Sequence, residues 1–323
     1  MAKRYLALAM LASALWGISY PITYLALRLY RVEELVFLSY FFSVISFMVI
    51  LSLRGYDVKS IIKGLALSPI NYALAYLYTE LSGDVGGLTA LLSSSYIVPL
   101  LILEYFDDGK VNTRYLVSAV TLLSGLYLLF QGYDNSIYIA FLLMIMNLVY
   151  TLVLAKINDV DIVNLVFGQS LGTLAISYLV MINSISISAL NLNIHDLYYP
   201  LILSLIGNSI PYTLYAMAIK YIGPTETSLT SSVETISSLI SSIPIQQLPA
   251  NPVAWTLLII SILSISTDLD TKGMRLRKIS IHVPIQLTAS LNETSRYADT
   301  EITQHDMYDL HVIMEVPGKR KII

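Results

Sequence analysis

Long windows free of Asp, Glu, Lys and Arg recur along the chain, at residues 5–27, 35–53, 64–79, 85–103, 115–133, 135–155, 162–194 and 197–219. A bilayer core about 30 Å thick needs about 20 apolar residues in a helix, so each window reads as a membrane-spanning helix. The third is short but extendable by a snorkelling Lys63. The stretch from Thr227 to Thr267 carries one charge, Glu234, and is too long for a single crossing; Pro244, Pro249 and Pro252, around Ile245, Gln246 and Gln247, break it in two. The pattern therefore predicts an all-α integral membrane protein with ten transmembrane helices. The first window does not read as a cleaved signal peptide, because its apolar run exceeds the usual h-region and Trp16, Tyr20 and Pro21 sit where a small-residue cleavage site belongs.

Beyond Asp268 the composition turns polar. Ile279, Ile281, Val283, Ile285 and Leu287 alternate with other residues, as do Leu310, Val312, Met314 and Val316, which predicts a β-hairpin in a tail of residues 268–323. A lone hairpin is marginal in water, so the tail docks, self-associates with another copy, or stays partly disordered.

Composition agrees with the pattern. Hydrophobic residues make up 56% and charged residues 13%, with mean hydropathy +0.69, too few charges to cover a water-facing surface. A net charge of -3 gives no basic field for nucleic acid, which is excluded as a partner. The absence of cysteine excludes disulfides and Cys-ligated metals. With the N-terminus cytoplasmic, alternate loops place Lys3, Arg4, Arg54, Lys59, Lys63, Lys110, Arg114, Lys156, Lys220, Lys272, Arg275, Arg277 and Lys278 inside, and only Arg28 and Arg31 outside. The positive-inside rule thus predicts a multi-pass cell-membrane protein with both termini cytoplasmic.

Ten helices divide into two fives, residues 1–133 and 134–267. Ser68-Pro-Ile-Asn-Tyr72-Ala-Leu74 in the third segment matches Asn208-Ser-Ile-Pro-Tyr212-Thr-Leu214 in the eighth. Because five is odd, such a duplication is an inverted repeat, a recurring transporter architecture with its site near the midplane. Ala14-Leu-Trp16-Gly17-Ile-Ser-Tyr-Pro21, together with Ala218-Ile-Lys220-Tyr-Ile-Gly223-Pro224 and Val233-Glu234-Thr235, resembles the drug/metabolite transporter superfamily, in particular its EamA-type ten-helix members. The resemblance spans about residues 5–267 and implies secondary transport, with metabolite export as its direction. The chain departs from the family pattern at Thr235, where the family usually has Pro. It departs also at Asp107 or Asp108 and at Gln246 or Gln247, which stand where glutamates are expected.

Glu234 is the one acid or base well inside any span. A charge at that depth costs a few kcal/mol and normally faces a cavity or a partner. Thr227, Ser231, Glu234, Ser238 and Ser241 fall on one helical face. That face predicts either a hydrated path on which Glu234 takes a proton, a cation or a substrate amine, or close packing by small hydroxyl residues around a protonated Glu234. Asn208, Tyr212 and Tyr215 share a face of the eighth helix, and Tyr72 and Tyr76 are placed on the comparable face of the third. Trp16 and Tyr20 in the first helix, with Asn147 and Tyr150 in the sixth, complete a candidate substrate site by repeat symmetry.

No paired carboxylates, Ser/His dyad, His-rich motif or P-loop is present, so no enzyme activity, cofactor or metal site is predicted. No Lys or Arg holds a central position, which disfavours strong anions. The predicted function is transport of small amines, amino acids or neutral aromatic metabolites by alternating access, coupled to protons or another ion. The alternative from another class is a membrane-anchored scaffold or sensor whose helices present the tail.

Overall fold

The computed structural model describes residues 2–100, 134–184, 193–228, 230–246 and 251–266, with parts of 117–128. Asp107, Asp108, Gln247, much of the expected fifth span and the whole tail with its expected strands lie outside the described residues. The described helices belong to a unit of Met1–Ser280.

Helix α1 is Ala2–Ala26, α2 Val32–Arg54 and α3 Val58–Val85; a 3-10 turn at Gly86–Leu88 leads into α4, Thr89–Ser94. Then come α5 (Asp134–Lys156), α6 (Ile162–Ser184) and α7, a continuous helix over Tyr198–Ile222. The series ends with α8 (Pro224–Ser228), α9 (Ser231–Ser242) and α10 (Pro252–Ser266). No strand occurs among the described residues. Among the described residues, five helices are long and apolar enough to cross a membrane: Lys3–Ala26, Val32–Arg54, Tyr138–Lys156, Ile162–Ser184 and Tyr198–Ile222. The α3 helix is longer than any of these but more polar, with Lys59 and Lys63 near one end and Glu80 and Asp84 near the other.

Burial is inverted relative to a water-soluble protein. Met48, Val49, Phe141, Leu142 and Leu179 face outward, while Ser43, Asn71, Thr151, Gln169 and Thr173 are buried between helices. Such a surface suits lipid, in which association rests on close packing and interhelical hydrogen bonds.

Helices α3 and α6 show both forces. Gly64 lies against the Leu165 carbonyl and Gly168 against the Ile61 carbonyl, and a Cβ at either position would overlap that backbone. Glycine lets the two axes approach until Asn71 Nδ2 donates to Tyr40 Oη and to Thr173 Oγ1, each at 2.9 Å. Their N-termini cap one another. Asp57 accepts from Lys59 N and from the Ser60 hydroxyl, while its own N–H donates to Asn164 Oδ1 at 3.0 Å. Asp161 accepts from Asn164 N at 2.9 Å, and its N–H donates to Ser60 Oγ at 2.9 Å. The Ser60 hydroxyl, aided by the helix N–H groups, holds the Asp57 carboxyl below the usual carboxylate range. The two helices therefore start at the same end and run parallel.

Other contacts fix further directions. Tyr5 stacks on Tyr221 at 4.0 Å and Trp16 Nε1 donates to Gly207 O at 2.9 Å, so α1 and α7 are antiparallel. Asn147 Nδ2 donates to Tyr78 Oη at 2.7 Å and Ser136 Oγ to Asp84 Oδ2 at 3.2 Å, so α3 and α5 are antiparallel. The Trp16 contact has a local cause. Pro211 has no N–H, which leaves the Gly207 carbonyl four residues earlier without its α-helical partner; a π-helical stretch, Ser204–Ser209, sits at this point, and the indole takes the carbonyl.

Candidate functional site

Glu234 lies in the first turn of α9 and is 5% exposed. Tyr20 Oη of α1 donates to its Oε1 at 2.5 Å, and Ser93 Oγ of α4 donates to the same oxygen at 2.7 Å. Gly17 makes this approach feasible, since a Cβ there would overlap Ser237 Oγ and the Glu234 carbonyl. Ser237 Oγ donates to Ala14 O at 3.1 Å, and Ser13 and Thr230 share a hydrogen bond at 3.0 Å along the same seam.

Glu234 lines a small cavity of about 20 Å³ walled by Trp16, Leu74, Tyr78, Tyr96, Asn147, Tyr150, Thr151, Tyr212 and Tyr215. The rings form one cluster. Trp16 meets Tyr212 and Tyr215 edge-on, both at 5.1 Å, and Tyr150 meets Tyr212 at 5.8 Å. Neighbouring side chains engage the hydroxyls: Tyr215 is bonded to Tyr96 at 3.0 Å and Thr151 at 3.1 Å, Tyr150 donates to Gln169 Oε1 behind the wall at 3.0 Å, and Tyr78 accepts from Asn147. A second cavity of about 60 Å³ lies on the other side of Trp16, Tyr78 and Tyr212, which line both. Tyr20 lines this second cavity while its hydroxyl holds Glu234, and its ring stacks on Tyr78 at 5.6 Å.

Of the expected site residues, Glu234, Trp16, Asn147, Tyr150, Tyr212 and Tyr215 wall the first cavity, and Asn208 and Tyr20 wall the second. Tyr72 and Tyr76 lie outside both walls and pair with each other at 6.2 Å. The repeat match that selected them aligns residues without saying which side of α3 faces inward; that side carries Asn71, Leu74, Leu81 and Ser82. Ser231 and Ser238 are buried outside both walls, and Ser238 Oγ donates to Gly87 O at 2.7 Å. Along the polar stripe, Thr227 Oγ1 donates to Gly223 O at 2.6 Å and Ser241 Oγ to Ser237 O at 2.7 Å, and of the stripe Glu234 lines the first cavity. The described helical stretches that carry the stripe are α8, to Ser228, and α9, from Ser231.

Tyr78, Ser93, Tyr96 and Thr151 belong to the site and escaped the pattern. The run Ser93-Ser94-Ser95-Tyr96 in mid-span was the available signal for two of them. Tyr78 falls one turn after Leu74 on the buried face of α3. Among the described residues no group of His, Asp and Glu side chains is arranged to hold a metal ion.

The fold is one already seen. A crystal structure of a protein superposes with a TM-score of 0.63 over 82% of this chain and 98% of its own, at 14% sequence identity. The likeness is one of fold. No family model and no curated protein matches the chain.

The site's chemistry follows from its geometry. A carboxyl group at the base of an aromatic-walled cavity can exchange a proton or hold a cation. Its Oε1 is occupied by two hydroxyl donors, and no described hydrogen bond engages Oε2.

Proposed function

We propose that the chain is a secondary transporter of small organic solutes of the drug/metabolite transporter kind, working by alternating access between two inverted five-helix halves, residues 1–133 and 134–267. Glu234 carries the reading: a buried carboxylate, held by hydroxyls from two other helices, that meets a cavity between the halves. Amines, amino acids and neutral aromatic metabolites are the substrates the walls suit, with protons or another ion as the coupling species and export as the direction the family resemblance implies.

The packing supports the inverted repeat. Pairing α1 with α5, α2 with α6, α3 with α7 and α4 with α9 maps one set of neighbours onto the other. The α3–α6 pair corresponds to α7–α2, α1–α7 to α5–α3, and α1–α9 to α5–α4, while α2–α6 and α4–α9 correspond to themselves. The helix directions support ten spans. Asp84 at the end of α3 meets Ser136 at the start of α5, so the two helices share this end, as an even number of crossings between them requires. Arg4, Arg54 and Lys220 gather around one cleft from three helices, in keeping with a single cytoplasmic face that holds both termini.

The test is uptake into proteoliposomes of a panel of amines and amino acids under an imposed pH gradient. Uptake that responds to the gradient, falls at least about ten-fold in Glu234→Gln and survives deletion of residues 272–323 is the expected result. Uptake indifferent to Glu234→Gln but abolished by the tail deletion contradicts the proposal.

A further inference from the structure

We propose that the cleft bordered by Arg4, Arg54 and Lys220 binds the phosphate headgroup of one anionic phospholipid. The cleft lies between the Tyr5–Tyr221 stack of α1 and α7 and the Arg54–Asp161 pair of α2 and α6. At about 270 Å³ it is roomier than either cavity lined by Trp16, and it has the volume of about nine waters, enough for a phosphate and its glycerol. The site is separate from Glu234 and does not depend on transport.

The cleft is built in two tiers. Arg4, near the start of α1, and Lys220, near the end of α7, form the outer one. Leu8, one turn further along α1, and Met217, one turn back along α7, share their faces and lie deeper, and Val163 of α6 adds a third apolar group. Little counter-charge is present for the cations. The Asp161 carboxylate is divided between the α6 cap, where it accepts from Asn164 N at 2.9 Å, and Arg54, at 3.4 Å in an exposed pair that contributes little. Lys220 Nζ donates to Val160 O at 3.1 Å, which uses one of its three donors and neutralises nothing. Arg4 has no hydrogen bond or ion pair among the described residues. Cations from three helices thus converge on one volume that a single carboxylate lines, and an anion with several acceptor oxygens relieves their repulsion. A phosphodiester offers those oxygens to guanidinium forks and an ammonium together. The apolar tier decides the source of the phosphate. A soluble phosphate gains nothing from Leu8, Met217 and Val163, whereas a phospholipid carries its acyl carbons directly beneath the phosphate. Because Asp161 is the one acid on the walls and Arg54 already holds it, a choline group finds no free partner, so a net-negative headgroup is preferred to a zwitterionic one.

Native mass spectrometry of the purified full-length protein in a neutral detergent counts bound lipid directly. Phosphatidylglycerol should bind at least about five-fold more tightly than phosphatidylcholine of the same acyl chains, and glycerol 3-phosphate at equal concentration should not displace it. Arg4→Gln and Lys220→Gln should each weaken phosphatidylglycerol several-fold, and the double variant should lose the preference over phosphatidylcholine. Lys59→Gln combined with Lys156→Gln removes the same charge from the same end of the bundle, at the start of α3 and the end of α5, outside the cleft, and should keep the preference. The lipid-free unfolding temperature of each variant shows that it folds, and added phosphatidylglycerol should raise that temperature in the Lys59, Lys156 variant but not in the Arg4, Lys220 variant. Equal binding of the two lipids, or binding of neither, overturns the proposal. Equal loss of the preference in both double variants overturns it in favour of diffuse surface charge, and displacement by glycerol 3-phosphate overturns it in favour of a site for soluble phosphates.

Discussion

Tyr20 and Ser93 both place a hydroxyl on Oε1 of Glu234, so the carboxylate is oriented by α1 and α4 although it belongs to α9. A hydrogen bond to a charged group contributes about 1.5–3 kcal/mol, so Tyr20→Phe should cut pH-driven uptake roughly ten-fold or more while leaving the protein folded. Uptake by Tyr20→Phe equal to that of the unaltered protein would show that this hydroxyl has no part in the cycle. Glu234 was legible in the sequence because an acid alone in an apolar window must be explained by a cavity or a partner. Trp16, Asn147, Tyr150, Tyr212 and Tyr215 were legible as polar aromatic and amide groups at mid-span, and all meet at the cavity wall. Ser93 was not, because serine is so common at helix–helix contacts that its type carries no depth or direction. Tyr78 was missed because helical periodicity alone cannot say which of several polar faces turns inward.

Two seams of close helix contact decide the geometry of the elements. Gly17 brings α1 onto α9, and its replacement by Val should push them apart, costing about 1–3 kcal/mol by overpacking and taking Tyr20 away from Glu234. Gly207→Ala is the control, since a Cβ there would sit 3.6 Å from Ser19 Cβ, an ordinary contact. Thermal unfolding in detergent should show a fall for Gly17→Val and little change for Gly207→Ala; equal melting points would refute the seam. At the other seam the Asp57 cap answers to pH. Because its carboxyl is held below the ordinary value of 3.8, its stabilising contribution is present in full above that value and is lost as pH falls through the lowered one. Asp57→Ala should therefore lower the melting temperature at neutral pH, and the difference should shrink in acid below that window. A difference that persists unchanged in strong acid would mean that the carboxylate is not the source.

At the scale of the molecule, the helical class and several spans followed from charge-free windows of bilayer length, because the cost of burying charge in lipid leaves that mark on any such chain. The π-helical stretch at Ser204–Ser209 did not follow, since Pro211 announces a lost hydrogen bond without saying how the helix takes it up. Nor did the partition of the central space into two cavities, which depends on how Trp16, Tyr78 and Tyr212 pack together from three helices. Alternating access requires the Glu234 cavity to communicate with each side of the membrane in turn. The chain has no cysteine, so Thr151→Cys, on the wall of that cavity, supplies a unique thiol. The decisive measurement is its rate of modification by a membrane-impermeant maleimide, added from either side of oriented vesicles with and without phenethylamine. The account predicts reaction from both sides, with the amine speeding one and slowing the other; modification from one side only, or from neither, whatever is added, would contradict it.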